Sequence, residues 1–159
     1  MLFTGYAELV VDPKGRLAIP AKFRTSQTVG RSGGSEDSTS TVWRCMPFPG
    51  DTLRLFTEER FVERFGGEDS RSLAEDPDEA DLETRLFSLT EKLETDSAGR
   101  IVIPKLHQQL ARLETEVVVL GVRDHLEVKN RGSWKANLES DFQQLRLLMD
   151  RVSSKRRKD

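Results

Sequence analysis

One nine-residue segment occurs twice in this chain of 159 residues. Residues 12–20 read DPKGRLAIP and residues 96–104 read DSAGRIVIP. A constant offset of 84 positions, from 12 to 96, aligns the Asp, Gly, Arg and Pro residues of the two copies. Chance periodicity of apolar residues does not place four residue types at one offset. The repeat therefore predicts two halves with the same local structure.

The first copy predicts two strands joined by a tight turn, followed by a short helix. In YAELVVD, ending at Asp12, apolar residues alternate as in a strand with one buried face. DPKG then places Pro where a turn presets φ and Gly where φ is positive. RLAI extends again, and Pro20 suits the first turn of a helix that begins in AKFR.

The second copy predicts the same order with different side chains. DSAG forms the turn, RIVI extends, and PKLHQQLARL forms a helix whose leucines share one face. EVVVLGV and DHLEVK predict two further strands, for which the first copy offers TVWRCM and DTLRLF. The leucines that share one face of the predicted PKLHQQLARL helix are Leu106, Leu110 and Leu113.

The offset between the copies falls from 84 to 73 further along the chain, where Leu53, Leu55, Phe61 and Phe65 align with Leu126, Val128, Trp134 and Leu138. The first copy therefore holds about eleven extra residues. They lie in the polar, Gly/Ser-rich stretch at about 26–41, which predicts a loop insertion. Each copy then predicts a strand, a turn, a strand, a short helix, two strands and a closing helix.

Four segments follow from this alignment: a first repeat at 1–66, an acidic linker at 67–85, a second repeat at 86–150 and a basic tail at 151–159. The linker is expected to turn helical towards LETRLFSL. The last helix is predicted to begin at an N-cap, Ser133, and the final SSKRRKD to be frayed or disordered. The apolar residues of this last helix are predicted to share one face: Trp134, Leu138, Phe142, Leu145 and Met149.

Charge is segregated along the chain although the net charge is only −2. Residues 1–31 hold five basic and two acidic side chains, and residues 68–83 hold eight acidic side chains and one basic. The tail RVSSKRRKD is again basic. Because local patches decide contact with DNA, the near-neutral total does not exclude a nucleic-acid partner.

Several classes of protein are disfavoured by the motifs that are missing. The N-terminus does not read as a signal peptide, and no apolar run approaches the ~20 residues that cross a bilayer. The single Cys45, expected to be a small buried residue, excludes an internal disulfide and favours the cytoplasm. His107 and His125 are expected on a helix surface and a strand edge, without metal-binding spacing. We therefore expect no metal, cofactor, small-molecule substrate, membrane contact or enzymatic activity.

The repeated Asp-x-x-x-Arg allows two interpretations, as residues that only form a turn or as a site that contacts nucleic acid. Asp12, Asp96 and the glycines are explained by the turn alone. A solvent-facing strand start tolerates many residue types, yet both copies use arginine, Arg16 and Arg100. Its planar fork pairs with phosphate or with guanine O6 and N7, and the Asp four residues earlier would orient it. Lys14 adds a cation to the first turn only.

DPKGRLAIPAKFR and DSAGRIVIPKLHQQL resemble the two half-motifs of the MraZ family, in the SpoVT/AbrB-like DNA-binding superfamily. The resemblance covers nearly the whole chain. It implies a mainly β fold with short helices, a double swapped-hairpin β-barrel formed by the two repeats, and a C-terminal helix. It also implies a regulator of the division and cell-wall gene cluster that binds promoter repeats as a ring-like homo-oligomer. The residues expected to face DNA are Arg16, Arg100, Asp12, Asp96 and Lys14.

This interpretation predicts a cytoplasmic, nucleoid-associated protein whose partners are double-stranded DNA and further copies of itself. Two features depart from the family pattern, namely the insertion near 26–41 with the acidic linker, and the second turn, which lacks a counterpart of Lys14. The acidic linker and the second turn favour the alternative of an oligomeric protein-interaction scaffold that has lost DNA binding. A small enzyme is the third possibility, and no convergent catalytic set supports it.

Overall fold

The structure, a computed structural model, describes residues 2–25, 41–66 and 76–158. The predicted insertion at 26–41 therefore lies almost wholly outside the described residues, as does the start of the linker. The first-copy elements are β1 (Tyr6–Val10), β2 (Arg16–Ala18), α1 (Ala21–Thr25), β3 (Val42–Phe48), β4 (Thr52–Thr57) and α2 (Glu58–Phe65). They are followed by α3 (Pro77–Ser88), β5 (Glu91–Glu94), β6 (Arg100–Val102), α4 (Lys105–Leu110), β7 (Glu116–Val122), β8 (His125–Asn130) and α5 (Arg131–Lys158).

The element order predicted from the repeat is present in both copies. Each copy runs strand, strand, short helix, two strands and helix, and the second copy is preceded by α3. Asp76 caps α3 by accepting a hydrogen bond from the backbone of Asp78, and Pro77 occupies the first helical position. The predicted mainly β fold with short helices and a C-terminal helix is confirmed.

The two copies exchange strands. A six-stranded antiparallel sheet has the order β1-β7-β8-β4-β3-β5, and β2 pairs with β6 in a separate two-stranded ribbon. First-copy β1 thus pairs with second-copy β7, while second-copy β5 pairs with first-copy β3. Since corresponding strands occupy mirrored places in this order, the halves are related by a pseudo-twofold. The strands are interleaved as the resemblance implies, and closure of the two sheets into one barrel stays a prediction.

Side chains from both halves fill one core. Leu17 and Ile101 are Cα partners at the centre of the β2–β6 ribbon, and both are fully buried. Because strand residues alternate between faces, burying these two turns their neighbours outward. Other core members are Phe3, Val11, Ile19, Phe23, Trp43, Cys45, Leu53 and Leu55 from the first copy and Ile103, Ala111, Val117, Val119, Leu126 and Val128 from the second.

The predicted surface position of His107 is wrong, because the side chain is 1% exposed. Its Nε2 donates to the carbonyl oxygen of Leu89 at 2.7 Å, so the unprotonated Nδ1 faces Cys45 Sγ at 3.3 Å. Burial lowers the pKa of His107 and raises the pKa of the Cys45 thiol, which is buried as predicted and unsuited to act as a nucleophile. Instead, Leu106 and Leu110 on the same helix are exposed.

The predicted strand-edge position of His125 is also wrong. The ring is 5% exposed and stacks on Phe56 with centroids 5.0 Å apart. Its Nδ1 lies 2.7 Å from Asp124 Oδ1 and its Nε2 lies 3.1 Å from Glu127 Oε2. Arg64 donates to Asp124 at 2.8 Å from α2. The histidine therefore joins the β7–β8 hairpin to the aromatic surface under α2.

We expect this cluster to make stability dependent on acid pH. The hydrogen bond from His125 outweighs burial and holds the pKa of Glu127 below its ordinary 4.5. A lowered folded-state pKa contributes stability that is present above the ordinary pKa and is lost as the pH falls through the lowered value. Urea unfolding should thus show stability falling below about pH 4.5, and Glu127→Gln should flatten this dependence. The exposed Glu114→Gln is the control, and an equal effect of both would contradict the assignment.

Helix α5 corrects two predictions at the C-terminus. It runs through Lys158, so the segment SSKRRK, predicted to be frayed or disordered, is helical. A helix that is already nucleated extends at low cost, and basic residues in the last turn favour its negative end. The helix begins at Arg131, so Ser133 is inside it rather than its N-cap, and its Oγ donates to the Asn130 carbonyl. Among the described residues, no helix is long and apolar enough to span a membrane.

Candidate nucleic-acid interface

Both Asp-Gly turns have the same hydrogen bonds. Asp12 Oδ1 accepts from the backbone N–H groups of Lys14 and Arg16 at 2.9 and 2.8 Å. In the second copy, Asp96 Oδ1 accepts from the backbone of Ala98 and of Arg100 at 2.9 Å each. The glycine three residues after each Asp has a φ value of +78° in the first copy and +75° in the second, a conformation that only glycine adopts readily. The turn therefore explains the repeated Asp and Gly.

The second carboxylate oxygen holds the arginine. Asp12 Oδ2 accepts from Arg16 Nε at 2.5 Å, and Asp96 Oδ2 accepts from Arg100 Nε at 2.8 Å. The backbone and side-chain hydrogen bonds from each arginine lower the pKa of its Asp, so both carboxylates stay ionised. Only the Nε–H of each guanidinium is used in this way. The Nη edge, which forms bidentate contacts, makes no hydrogen bond to the described residues.

The two motif arginines lie on one face of the β2–β6 ribbon. Arg16 pairs with Val102 and Arg100 pairs with Ala18, on either side of the buried pair at the centre. Cα-paired residues point to the same side of a sheet, so all four side chains face outward. The arginines are diagonal neighbours, about 7–8 Å apart between Cα atoms. Each has a part-exposed side chain, at 33% and 38%.

A side chain from the opposite half lies behind each turn. A methyl group on Gly15 would lie 2.7 Å from Gln108 Nε2, and one on Gly99 would lie 2.7 Å from Arg24 Cζ. Arg24 and Gln108 occupy equivalent positions in the two copies. The second turn, which lacks a Lys14 counterpart, thus receives a guanidinium from the first copy.

Sequence reasoning missed Arg24 because its contact with Gly99 joins residues far apart in the chain. The available signal was its alignment with Gln108, a polar residue at the same distance from the repeated Pro. Among the described residues no acceptor binds Arg24 Nε, which is buried. Lys14 is exposed on the first turn, whereas Lys22 Nζ donates to the Tyr6 carbonyl oxygen at 2.6 Å.

Comparison with known proteins identifies the relatives of this chain. A protein named Transcriptional regulator MraZ from Thermomicrobium roseum is 31% identical over 139 residues, which cover 87% of this chain and 88% of that protein. The chain belongs to the MraZ family. The family model described as "MraZ protein, putative antitoxin-like" matches residues 86–148, within the second copy.

Two further MraZ relatives agree with this assignment. Proteins of the same name from Roseiflexus castenholzii and Dechloromonas aromatica are each 30% identical over 135 residues. These matches cover 84% of this chain and 85% and 84% of the two relatives. The resemblance inferred from the doubled motif is confirmed. MraZ proteins form a family of transcriptional regulators rather than of enzymes.

Proposed function

We propose that this chain is a sequence-specific, DNA-binding transcriptional regulator that contacts double-stranded DNA through the β2–β6 ribbon. One observation carries the proposal: two arginines, one from each half, share the outer face of a ribbon whose inner face is anchored in the core. The major groove of B-DNA, about 12 Å wide, admits a two-stranded ribbon. Arg16 and Arg100 are the residues that would contact base edges.

The surroundings of the ribbon suit this role. The Asp residues hold each guanidinium by Nε and leave the Nη edge for guanine O6 and N7 or for a phosphate. A preoriented side chain loses less freedom on binding. Lys14 beside the first turn and Arg24 beside the second would contact phosphates, which position a protein without reading sequence.

The proposal includes assembly on repeated promoter sites. One ribbon offers two arginines and few phosphate contacts, which give weak binding at physiological salt. Linking several such subunits in a ring-like homo-oligomer raises avidity by roughly 10² or more. As the family resemblance implies, the sites would be repeats upstream of the division and cell-wall gene cluster, and the protein would act in the cytoplasm at the nucleoid.

Fluorescence anisotropy with promoter DNA from upstream of the protein's own gene tests this proposal. We expect the logarithm of the affinity to fall linearly with the logarithm of salt concentration, with slope about −0.9 per phosphate neutralised. A scrambled duplex should bind more weakly at every salt concentration. Equal affinity for both duplexes would exclude sequence-specific recognition.

The same titration tests Arg24. Arg24→Gln copies the residue at the equivalent position of the other half, so the fold should be kept. We expect weaker binding to promoter and scrambled duplex alike, with a salt slope reduced by about one. An unchanged slope would remove Arg24 from the interface.

A scaffold that has lost DNA binding is the second candidate. It is favoured by the ion pair at each turn, because Asp12 and Asp96 offset the charge of the arginines beside them. Absence of binding to either duplex at low salt, with the assembled oligomer intact, would establish this alternative.

A further inference from the structure

Within the part of the chain that the structure describes, helix α5 contacts the other elements only at its beginning. Arg131 Nη2 donates to the Leu9 carbonyl oxygen at 2.6 Å, and Lys135 Nζ lies 2.8 Å from Glu8 Oε1. Trp134 packs on Tyr6 with ring centroids 5.0 Å apart. Every residue from 135 to 158 is exposed. Most of the helix therefore projects from the sheet, although helices in proteins are stabilised mainly by packing of an apolar face.

The projecting part carries an apolar stripe with coiled-coil spacing. Its members follow one another at intervals of four, three, four and three residues, the alternation of a and d positions in a heptad. We call them the seam: Leu138, Phe142, Leu145, Met149 and Val152, with exposed fractions of 44, 68, 47, 60 and 42%. An exposed stripe of this kind marks an interaction surface.

Charged residues bound the seam at both ends. The two a or d positions before the seam hold Arg131 and Lys135, which contact β1 and β7. The next such position after the seam holds Arg156. At a rise of 1.5 Å per residue, the seam from Leu138 to Val152 is about 21 Å long. It begins where the helix leaves the sheet and ends at the basic last turn.

We propose that the seam packs against the seam of a second copy of this chain, forming a short coiled coil between two subunits. The flanking charges support self-pairing. With the seam at a and d, Glu139 and Arg146 occupy e positions and Asp141 a g position. In a parallel pair, Asp141 lies beside Arg146 of the second copy. In an antiparallel pair, Glu139 lies beside Arg146 of the second copy. Each arrangement brings opposite charges together twice, as an isologous contact requires.

This pairing names the surface through which the oligomer of the proposed function joins two subunits, and to that extent it rests on that proposal. It is separate from the ribbon that would contact DNA. Two chains joined by α5 place two ribbons in one particle, which raises avidity without a new DNA contact. Particle mass measured without DNA tests the pairing independently of DNA binding.

Light scattering and sedimentation at micromolar concentration compare Leu145→Asp with Leu147→Asp. Leu145 is at the centre of the seam, whereas Leu147, 65% exposed, lies on the opposite face of the same helix. We expect Leu145→Asp to lower the particle mass, because the subunits joined through the seam separate, and Leu147→Asp to leave it unchanged. Circular dichroism should show that the sheet of both variants melts as in the wild type, because neither residue packs on the sheet. An unchanged mass for Leu145→Asp, or an equal reduction by both variants, would overturn the proposal.

Charge exchange provides a second test that leaves the seam intact. Arg146→Glu places two like charges together in either orientation, and we expect self-association to weaken several-fold. Adding Glu139→Arg and Asp141→Arg to that variant should restore it. Restoration supports pairing with a second copy, and failure of the triple variant to recover the wild-type mass would contradict it.

Discussion

Arg16→Ala and Arg100→Ala are each expected to bring promoter binding close to the level of scrambled DNA while leaving the fold intact. Each substitution removes a charge-assisted bidentate contact worth about 1–3 kcal/mol in every subunit engaged. That range corresponds to about 5- to 150-fold in affinity per contact, and it multiplies when several subunits share one DNA. Anisotropy titrations of each variant on promoter and scrambled duplex measure the loss.

The fold should survive because each arginine is part exposed and is paired with one neighbouring carboxylate. Exposed ion pairs contribute about 0–1 kcal/mol to stability. Arg85 is a matched control, since it pairs with Asp81 four residues earlier at 2.9 Å but lies on α3. Arg85→Ala should bind promoter DNA like the wild type. Arg16→Lys keeps the charge and removes the fork, so it should lose specificity more than affinity for random DNA.

A folded Arg16→Ala variant with wild-type affinity for its promoter would show that the arginine only begins a strand. The scaffold alternative would then be preferred to the regulator. Because the two arginines are diagonal neighbours on one surface, we expect their effects to be of similar size. A loss confined to one of them would mean that the halves approach DNA unequally.

Leu17→Ala is expected to have the largest effect on stability, because it empties the centre of the ribbon. Leu17 and its Cα partner Ile101 are both fully buried, and truncating such a residue costs about 2–5 kcal/mol. This is a large part of the 5–15 kcal/mol typical of a whole domain. Urea unfolding measures the loss. Val102→Ala on the outer face of the same ribbon, where Val102 is 56% exposed, should cost about 0.5 kcal/mol or less.

Ile101→Ala should destabilise by a similar amount, and the double variant should lose less than the two losses added. Residues in contact share one cavity, so their effects couple. Strict additivity would mean that the two side chains do not support each other. In that case the exchanged ribbon would be two independent strand ends, and the common orientation of Arg16 and Arg100 would lose its structural basis.

Local features of the site were predictable from the sequence. The Asp12 and Asp96 turns, the positive-φ glycines and the arginine held by the Asp four residues earlier depend on hydrogen bonds within five residues. Such interactions are encoded by the residue types at those positions. The offset of the repeat likewise predicts the order of elements in each half.

Predictions failed where a distant neighbour decides the environment. His107 has the spacing of a polar residue on a short helix, yet the contact with Cys45, 62 residues away, encloses it. His125 is enclosed by Phe56 of the other half. The tail was expected to be frayed or disordered, but the helix that precedes it extends through Lys158. Polarity alone does not separate these cases, since a polar side chain is buried wherever hydrogen-bond partners meet it.

The sequence by itself determined two similar halves, their turns, the placement of an arginine at the start of each second strand and, through the doubled motif, the family. These properties depend on residue type and short spacing. Only the tertiary structure decided that β1 pairs with β7, that Arg16 and Arg100 share one face, and that Arg24 lies behind Gly99. A constant offset shows which segments of the two halves are similar, but not which strands pair through hydrogen bonds. Pairing across the halves is set by how two incomplete hydrophobic faces bury each other, and that depends on the whole chain.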